Sequence, residues 1–467
     1  MDMFRPSPWG AALLCALALQ ASAQTAPPPV PRGPLSDLGD DLRERGVSLG
    51  VVLFSGQFRN PSTGISPGHS ANFGMVYFNV GLDLEKIAGL RGTDIHISEV
   101  LNKPSYNTGT YLFQTGSGFT PFPVINKTTD LARFTVGHRT LDNRLRLDFG
   151  RMNLNREFMV LDMCAGCLFS APATVMNQPG VSKSSWGATA RYRLDEASAV
   201  GVGVLEDNAA MWQRTTGWQW RHDTATGYIG IANYTAQRGF DRWAYPYRLE
   251  TGLFHTTARY DDPLYNTDGT SHVLQPAGTL LQHAGKTGAY FQGRKVYWRP
   301  GAVPGAGGRG APENLAAYGG AVYTAGAGES YPIEAYVGTE WSGFMQSNPA
   351  ALVGSTLRYI QLGKRRALYE QQARAGYTSM LNMMSGGAIP VVDQPVSRNM
   401  FALDLHGRIG LVPGVFVESA VQYLKNPNAM IPATQERIRS GYMFSISLLA
   451  DFGALSGLSR LPANMGF

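Results

Sequence analysis

The sequence predicts an all-β protein, an antiparallel transmembrane β-barrel of about 16 to 18 strands with a short N-terminal helix and long extracellular loops. Three observations predict it. Segments of alternating polarity, each about ten residues long, follow one another from Val47 onward. Arg, Asp, His and Glu fall repeatedly on one parity of these segments, and Phe, Leu, Ile, Val and Trp on the other. The connections are uneven, some tight and some very long, which is unusual in compact soluble domains.

Ahead of the strands, residues 1–23 read as a signal peptide. Arg5 precedes an apolar run from Ala11 to Leu19, and Ala21-Ser22-Ala23 supplies a small-x-small cleavage signal. The run is too short to cross a bilayer as a helix. Residues 24–46 follow as a Pro-rich linker, "QTAPPPVPRGPL", and one short helix, "SDLGDDLRERG". Ser36 is the expected N-cap and Gly46 the stop. Residues 47–467 then form the barrel.

Alternation by itself does not say which face of "DNRLRLDFGRM" (142–152) is wet. Leu145, Leu147 and Phe149 share one side of a strand; Arg144, Arg146 and Asp148 share the other. The same division recurs in Val76–Leu84, Ile95–Ser98, Trp186–Leu194, Ile333–Glu340, Phe401–Ile409, Val417–Tyr423 and Tyr442–Phe452. Apolar rows about ten residues long match a tilted strand crossing hydrocarbon. A closed barrel leaves no backbone polar group unpaired against lipid. Leu145, Leu147 and Phe149 are therefore expected to face lipid, and the charged rows a lumen. Trp186, Trp218, Trp220, Trp298 and Trp341 are expected in the interface girdles. "HRTLDNR" and "LVPGV" read as periplasmic turns, and 103–131, 153–183, 261–285, 300–312 and 380–398 as long loops, outside or folded inward.

Composition agrees. Charged residues are only 16% of the 467, against roughly a quarter in soluble domains, with 55 Gly, 21 Tyr, 21 Phe and 8 Trp. A net charge of +6 is too mild for a nucleic-acid partner. Cys15 leaves with the signal, so Cys164 and Cys167 remain. A C-x-x-C reads as a redox pair, half a zinc site or a small disulfide loop. No second ligand pair lies nearby, and in an oxidising compartment a local disulfide is preferred.

Five stretches, in order, resemble the carbohydrate-selective porin family (OprB type) of Gram-negative outer membranes. They are "DLRERGVSLGVVLFSGQFRN" (41–60), "FNVGLDLEKIAGLRGTDIHIS" (78–98), "LRLDFGRMNLNREF" (145–158), "GAYFQGRKVYWRP" (288–300) and "VESAVQYLKNPNA" (417–429). The resemblance implies a monomeric barrel of about 16 strands in outer-membrane lipid, assembled by the barrel assembly machinery and conducting sugars passively. It also implies a constriction where charged and aromatic side chains bind hydroxyls weakly. One departure stands out: the last alternating strand stops near Phe452, and "GALSGLSRLPANMGF" runs on to Phe467.

A sugar channel needs donors and acceptors at a narrow point, and no catalysis, cofactor or metal. The expected pore-lining residues are Asp94, His96 and Glu99, then Arg144, Arg146, Asp148 and Arg151, then Asp404, His406 and Arg408. Glu99 and Arg151 conflict with the parity of their neighbours, which puts them at the rim. No G-x-S-x-G or H-E-x-x-H occurs, and Asp261-Asp262 reads as a surface-loop pair. The competing reading is an exported soluble β-rich carbohydrate-binding protein or enzyme, built from the same short strands.

Overall fold

The computed structural model describes residues 33–64, 67–104, 128–158, 183–207, 217–221, 225–240, 243–300, 313–427 and 439–459. The signal segment, Cys164, Cys167 and Phe467 lie outside these. Sixteen strands close into one antiparallel barrel in sequence order. They are β1 (Val47–Asn60), β2 (His69–Asp83), β3 (Thr93–Pro104), β4 (Thr128–Thr140), β5 (Leu145–Met152), β6 (Ser185–Arg193), β7 (Ser198–Asp207) and β8 (Gly227–Arg238). Then come β9 (Tyr247–Asn266), β10 (Leu280–Trp298), β11 (Asn314–Ala325), β12 (Ile333–Ser342), β13 (Leu352–Gln361), β14 (Asn399–Val412), β15 (Val415–Lys425) and β16 (Gly441–Asp451). The last pairs with β1 from Val52↔Asp451 to Arg59↔Phe444, so the sheet has no open edge.

The outer parity is oily and uncovered. Leu147 and Phe149 are 41% and 60% exposed, and Val200, Val202, Val204, Leu253, Val337, Leu403, Leu405 and Ile446 share this exposure. A soluble sandwich or propeller would bury such rows against protein; here they form the outside of a closed cylinder. The inner parity carries Asp94, Asp148, Glu250, Glu334, Glu340, Arg358, Asp404 and Glu418, all buried. It is not uniformly polar. Phe58, Phe73, Met75, Met400, Leu424 and Met443 make one inner apolar cluster, and Met152, Leu154, Phe158, Leu205, Ile231 and Phe254 another. Alternation alone did not foresee these interior clusters.

At the turn end, helix α1 (Ser36–Glu44) begins at Ser36 itself, and no side chain caps it. The expected N-cap is thus the first helical residue. Leu35 N donates to Ser456 O at 2.7 Å and Arg43 Nη1 to Leu458 O at 2.7 Å. The segment after β16, with its own short helix at Phe452–Ser456, is therefore the counterpart that receives the N-terminal helix. Helix α2 (Leu84–Ala88) fills the β2–β3 turn, with Asp83 accepting from Glu85 N and Lys86 N.

Three loop expectations are corrected. β9 and β10 extend to 20 and 19 residues, so 261–266 and 280–285 are strand; Asp262 is buried at 1% exposure and pairs with His283 and Arg365. β10 ends and β11 begins at the turn end, so 300–312 connects strands there and not outside. The expected 380–398 loop begins inside a helix, Lys364–Met384, which takes its residues 380–384 and stands at the loop end, where Ser271 Oγ donates to Gln372 Oε1 at 2.5 Å and Arg365 lies 5.1 Å over Tyr265. It anchors to the raised wall of β9.

A charged inner arc and an inward-folded helix

β3, β4 and β5 bring Asp94, Gly137 and Asp148 into one row, because Asp94 pairs with Gly137 and Gly137 with Asp148. Arg146, two residues before Asp148, lies across that row. Its Nη2 donates to Asp94 Oδ1 at 2.7 Å and to Asp148 Oδ1 at 2.6 Å, and its Nε to Asp148 Oδ2 at 3.0 Å. The middle strand must be bare for this. A Cβ on Gly137 would fall 1.9 Å from Arg146 Nη2, so any side chain there would expel the guanidinium. Arg139 Nη1 (3.2 Å) and His96 Nε2 (3.1 Å) complete the shell around Asp94.

Past Met152 the chain turns into the barrel as α3 (Leu154–Glu157). Phe158, 2% exposed, lies against the inner face of β7, where a Cβ on Gly203 would stand 2.6 Å from its ring. Arg191 Nη2 donates to Glu157 O at 3.0 Å, Arg133 Nη2 lies 3.3 Å from Glu157 Oε1, and Arg156 sits 5.1 Å over the Tyr77 ring of β2. Arg191 is also the register partner of Arg146. Helix α3 and the Asp94–Arg146–Asp148 row therefore form one continuous charged arc spanning β2 to β6.

The opposite wall holds a second polar ladder. Glu250 accepts from Asn233 Nδ2 (2.9 Å), Tyr290 OH (2.7 Å) and Gln292 Nε2 (2.9 Å). Arg294 pairs with Glu340 at 2.5 Å and Arg358 with Glu334 at 2.8 Å. Asp404 Oδ1 and His406 Nδ1 are 2.9 Å apart, and the ring of His406 occupies the space over Gly354, its register partner. Arg408 Nε donates to Glu418 at 2.8 Å.

The structure thus brings Asp94, His96, Arg146 and Asp148 together on one arc and sets Asp404, His406 and Arg408 on another. Arg144 stands apart, in the turn before β5, donating to the carbonyls of Arg193 (3.3 Å) and Leu194 (3.0 Å). Glu99 and Arg151 lie on the outward parity. Glu99 is the register partner of exposed Phe78 and accepts from Trp218 Nε1 at 3.1 Å. Arg151 is the partner of Trp186 and lies 5.7 Å from its ring. Sequence reading missed Arg133, Arg156, Glu157, Glu250 and Glu340. The signal for α3 in "NLNREF" was weak: Leu154, Arg156 and Glu157 favour helix, but Asn153 and Asn155 do not.

Aromatic side chains mark both ends of the outer wall. At the loop end Phe149 stacks on Trp186 and Trp220 meets Trp186 edge-on, with ring centroids 5.5–5.6 Å apart. Trp341 and Trp298 lie at the turn end, the former donating to Glu313 at 3.1 Å. Such girdles sit at headgroup level on either side of an apolar band.

A closed cylinder that is oily outside and charged within, and into which a loop folds, defines an outer-membrane diffusion channel. The chain belongs to the carbohydrate-selective porin, OprB family, whose family model matches residues 69–452. Its fold is similar to the high-pH structure of Pseudomonas putida OprB, at TM-score 0.73 and 16% identity over 88% of this chain and 96% of that one. The low-pH structure of the same Pseudomonas putida protein matches at TM-score 0.51 and 11% identity, over 88% and 95%. No curated protein matches the sequence. Membership places the chain in the Gram-negative outer membrane as a passive carbohydrate channel, its short turns periplasmic and its long loops extracellular.

Proposed function

We propose that sugars are selected where α3 narrows the lumen against the β2–β6 arc. The observation that carries this reading is the pinning of Arg146 between Asp94 and Asp148 across Gly137, joined through Arg191 to Glu157 of α3. Guanidinium and carboxylate groups held by one another are fixed in place yet retain unused donors and lone pairs. They bind hydroxyls weakly enough that the solute leaves again. Arg156 covers the ring of buried Tyr77 and so holds α3 against β2. Asp404, His406 and Arg408 line the far wall as auxiliary contacts, and Glu99, Arg144 and Arg151 serve structure at the two rims.

The chain works as a monomer, without catalysis, cofactor or metal. Its first 23 residues are removed on export, and Cys164 and Cys167 close a small disulfide loop. Liposome swelling over a panel of neutral sugars tests the selection. Replacing Arg156 by Ala should raise swelling rates for disaccharides more than for monosaccharides, because the narrowing element loses its contact with Tyr77. Equal rates for all sugars in both proteins would remove α3 from the selecting site.

A further inference from the structure

A cavity of about 1010 Å³ opens at the turn end of the barrel, between the β6–β7 and β8–β9 turns. That is enough for a mono- or disaccharide. Arg144, Arg193, Arg238, Arg248 and Arg294 line it, against Asp195 and Glu196. Arg248 and Arg294 face Glu250 and Glu340, and Asp195 lies within electrostatic reach of Arg238. Asp195 is used by its own turn, accepting from Ala197 N (2.6 Å), Ser198 N (2.9 Å) and Ser198 Oγ (2.8 Å). Arg144 is spent on carbonyl oxygens, and among the described residues Arg193 and Arg238 make no ion pair. Arg238 instead lies 5.6 Å from the Trp243 ring.

Beside the cavity is a further cation that makes no ion pair among the described residues. Arg299, only 3% exposed, stacks 5.4 Å from the ring of Phe240, which lines the cavity. Its Nη1 donates to Ala244 O at 3.2 Å, while Nε and Nη2 have no hydrogen-bond partner among the described residues. A buried guanidinium with no carboxylate beside it raises the local potential on the cavity side.

We propose that this periplasmic vestibule is a second binding site, one that takes anionic carbohydrates: sugar acids whose carboxylate sits on Arg193 and Arg238. The planar guanidinium fork matches a carboxylate with two parallel hydrogen bonds. Gln237 supplies a donor and acceptor for hydroxyls, and Phe240 an apolar face for ring carbons. The site raises occupancy by acids without imposing direction on a passive channel. This inference rests on the channel reading above and extends its substrates from neutral sugars to acids.

The test is block of single-channel current by the full-length protein in planar bilayers at 0.1 M KCl, with sodium gluconate or glucose added to one side at a time. Gluconate should block from the turn side at several-fold lower concentration than glucose. Raising KCl to 1 M, where screening acts over about 3 Å, should weaken gluconate block and leave glucose block in place. Replacing both arginines, R193Q with R238Q, should raise the half-blocking gluconate concentration about fivefold to tenfold, as loss of two exposed charge contacts predicts. A folded variant is recognised by its heat-modifiable mobility; where it does not fold, the salt response of the native protein decides alone. Equal block by gluconate and glucose from both sides overturns the vestibule and leaves the channel. Equal block by sodium phosphate reduces it to a plain anion site and overturns the sugar-acid assignment. Absence of conductance steps and of block by either solute overturns the channel reading itself.

Discussion

Two arginines on β5, five positions apart, show opposite ways of holding charge in a barrel wall. Arg146 points inward, reaches two carboxylates at hydrogen-bond distance and keeps 20% of its side chain open to the lumen. Arg151 points outward, is 2% exposed and has its nearest carboxylate among the described residues, Glu206, at 3.8 Å. It also donates to Ser184 O and lies near the Trp186 ring. Burial lowers neither charge to nothing; it changes what must surround it. In the lumen, water supplements an ion pair. On the lipid side, a charge persists only beyond the apolar band, sealed by aromatics and carbonyls. Trp186 and Trp220 provide that seal, with Trp186 Nε1 donating to Trp220 O at 2.8 Å and Trp186 N to Glu206 Oε2 at 3.1 Å.

The comparison can be broken most sharply at the outer site. Arg151→Ala removes the cation that faces both Glu206 and Asp130 and should cost about 3–5 kcal/mol, read as a lowered midpoint of urea unfolding in detergent or bilayer. Arg151→Met, which keeps the volume and still removes the charge, should recover little unless Glu206→Gln accompanies it. Full recovery by Arg151→Met alone would show that packing, and not charge, holds this corner.

At the inner site, Gly137→Val displaces the guanidinium by overpacking, with a cost of about 1–3 kcal/mol. It should also change sugar block, because Arg146 can no longer bridge β3 and β5. A crystal structure of the variant with Arg146 still on both Asp94 and Asp148 would contradict the seat assigned to that glycine. Arg146→Gln is milder, about 1–2 kcal/mol, since water can solvate the two acids it leaves behind. It should shift the reversal potential toward cation selectivity in a KCl gradient.

The smallest effect belongs to a charge in neither setting. Asp195 lies in the β6–β7 turn, where the amide of Ala197, then the hydroxyl and amide of Ser198, hold its carboxyl below the ordinary carboxylate range. A folded-state pKa below the unfolded one means the turn is stabilised above the ordinary carboxylate pKa. That stabilisation is lost as pH falls through the folded value. Amide exchange at Ala197 and Ser198 should therefore quicken only in acid, with global stability barely moved.

Much of the wall was legible as alternation. Leu147 and Phe149 fall outside and Arg146 and Asp148 inside because a strand has a period of two, which no neighbour can alter. The helix at Lys364–Met384 was not legible: "KRRALYEQQARAGYTSMLNMM" is rich in helix formers but lacks an apolar stripe, so periodicity gave no signal. It is anchored by Asp262 on β9 and Ser271 in the β9–β10 connection, contacts that a sequence does not announce. Glu99 and Arg151 broke parity in the sequence, and the reason is the aromatic cover that comes from residues 186 and 218–220.

What the chain alone determined was periodicity, turn chemistry and the side of each strand that meets lipid, since these depend on backbone geometry and solvent preference over a few residues. Which charges share a partner was decided only by closure of the sheet. Arg146 meets Asp94 across an intervening strand because register places Gly137 between them. Register is a property of sixteen strands fitted to one circumference, and no local stretch encodes it.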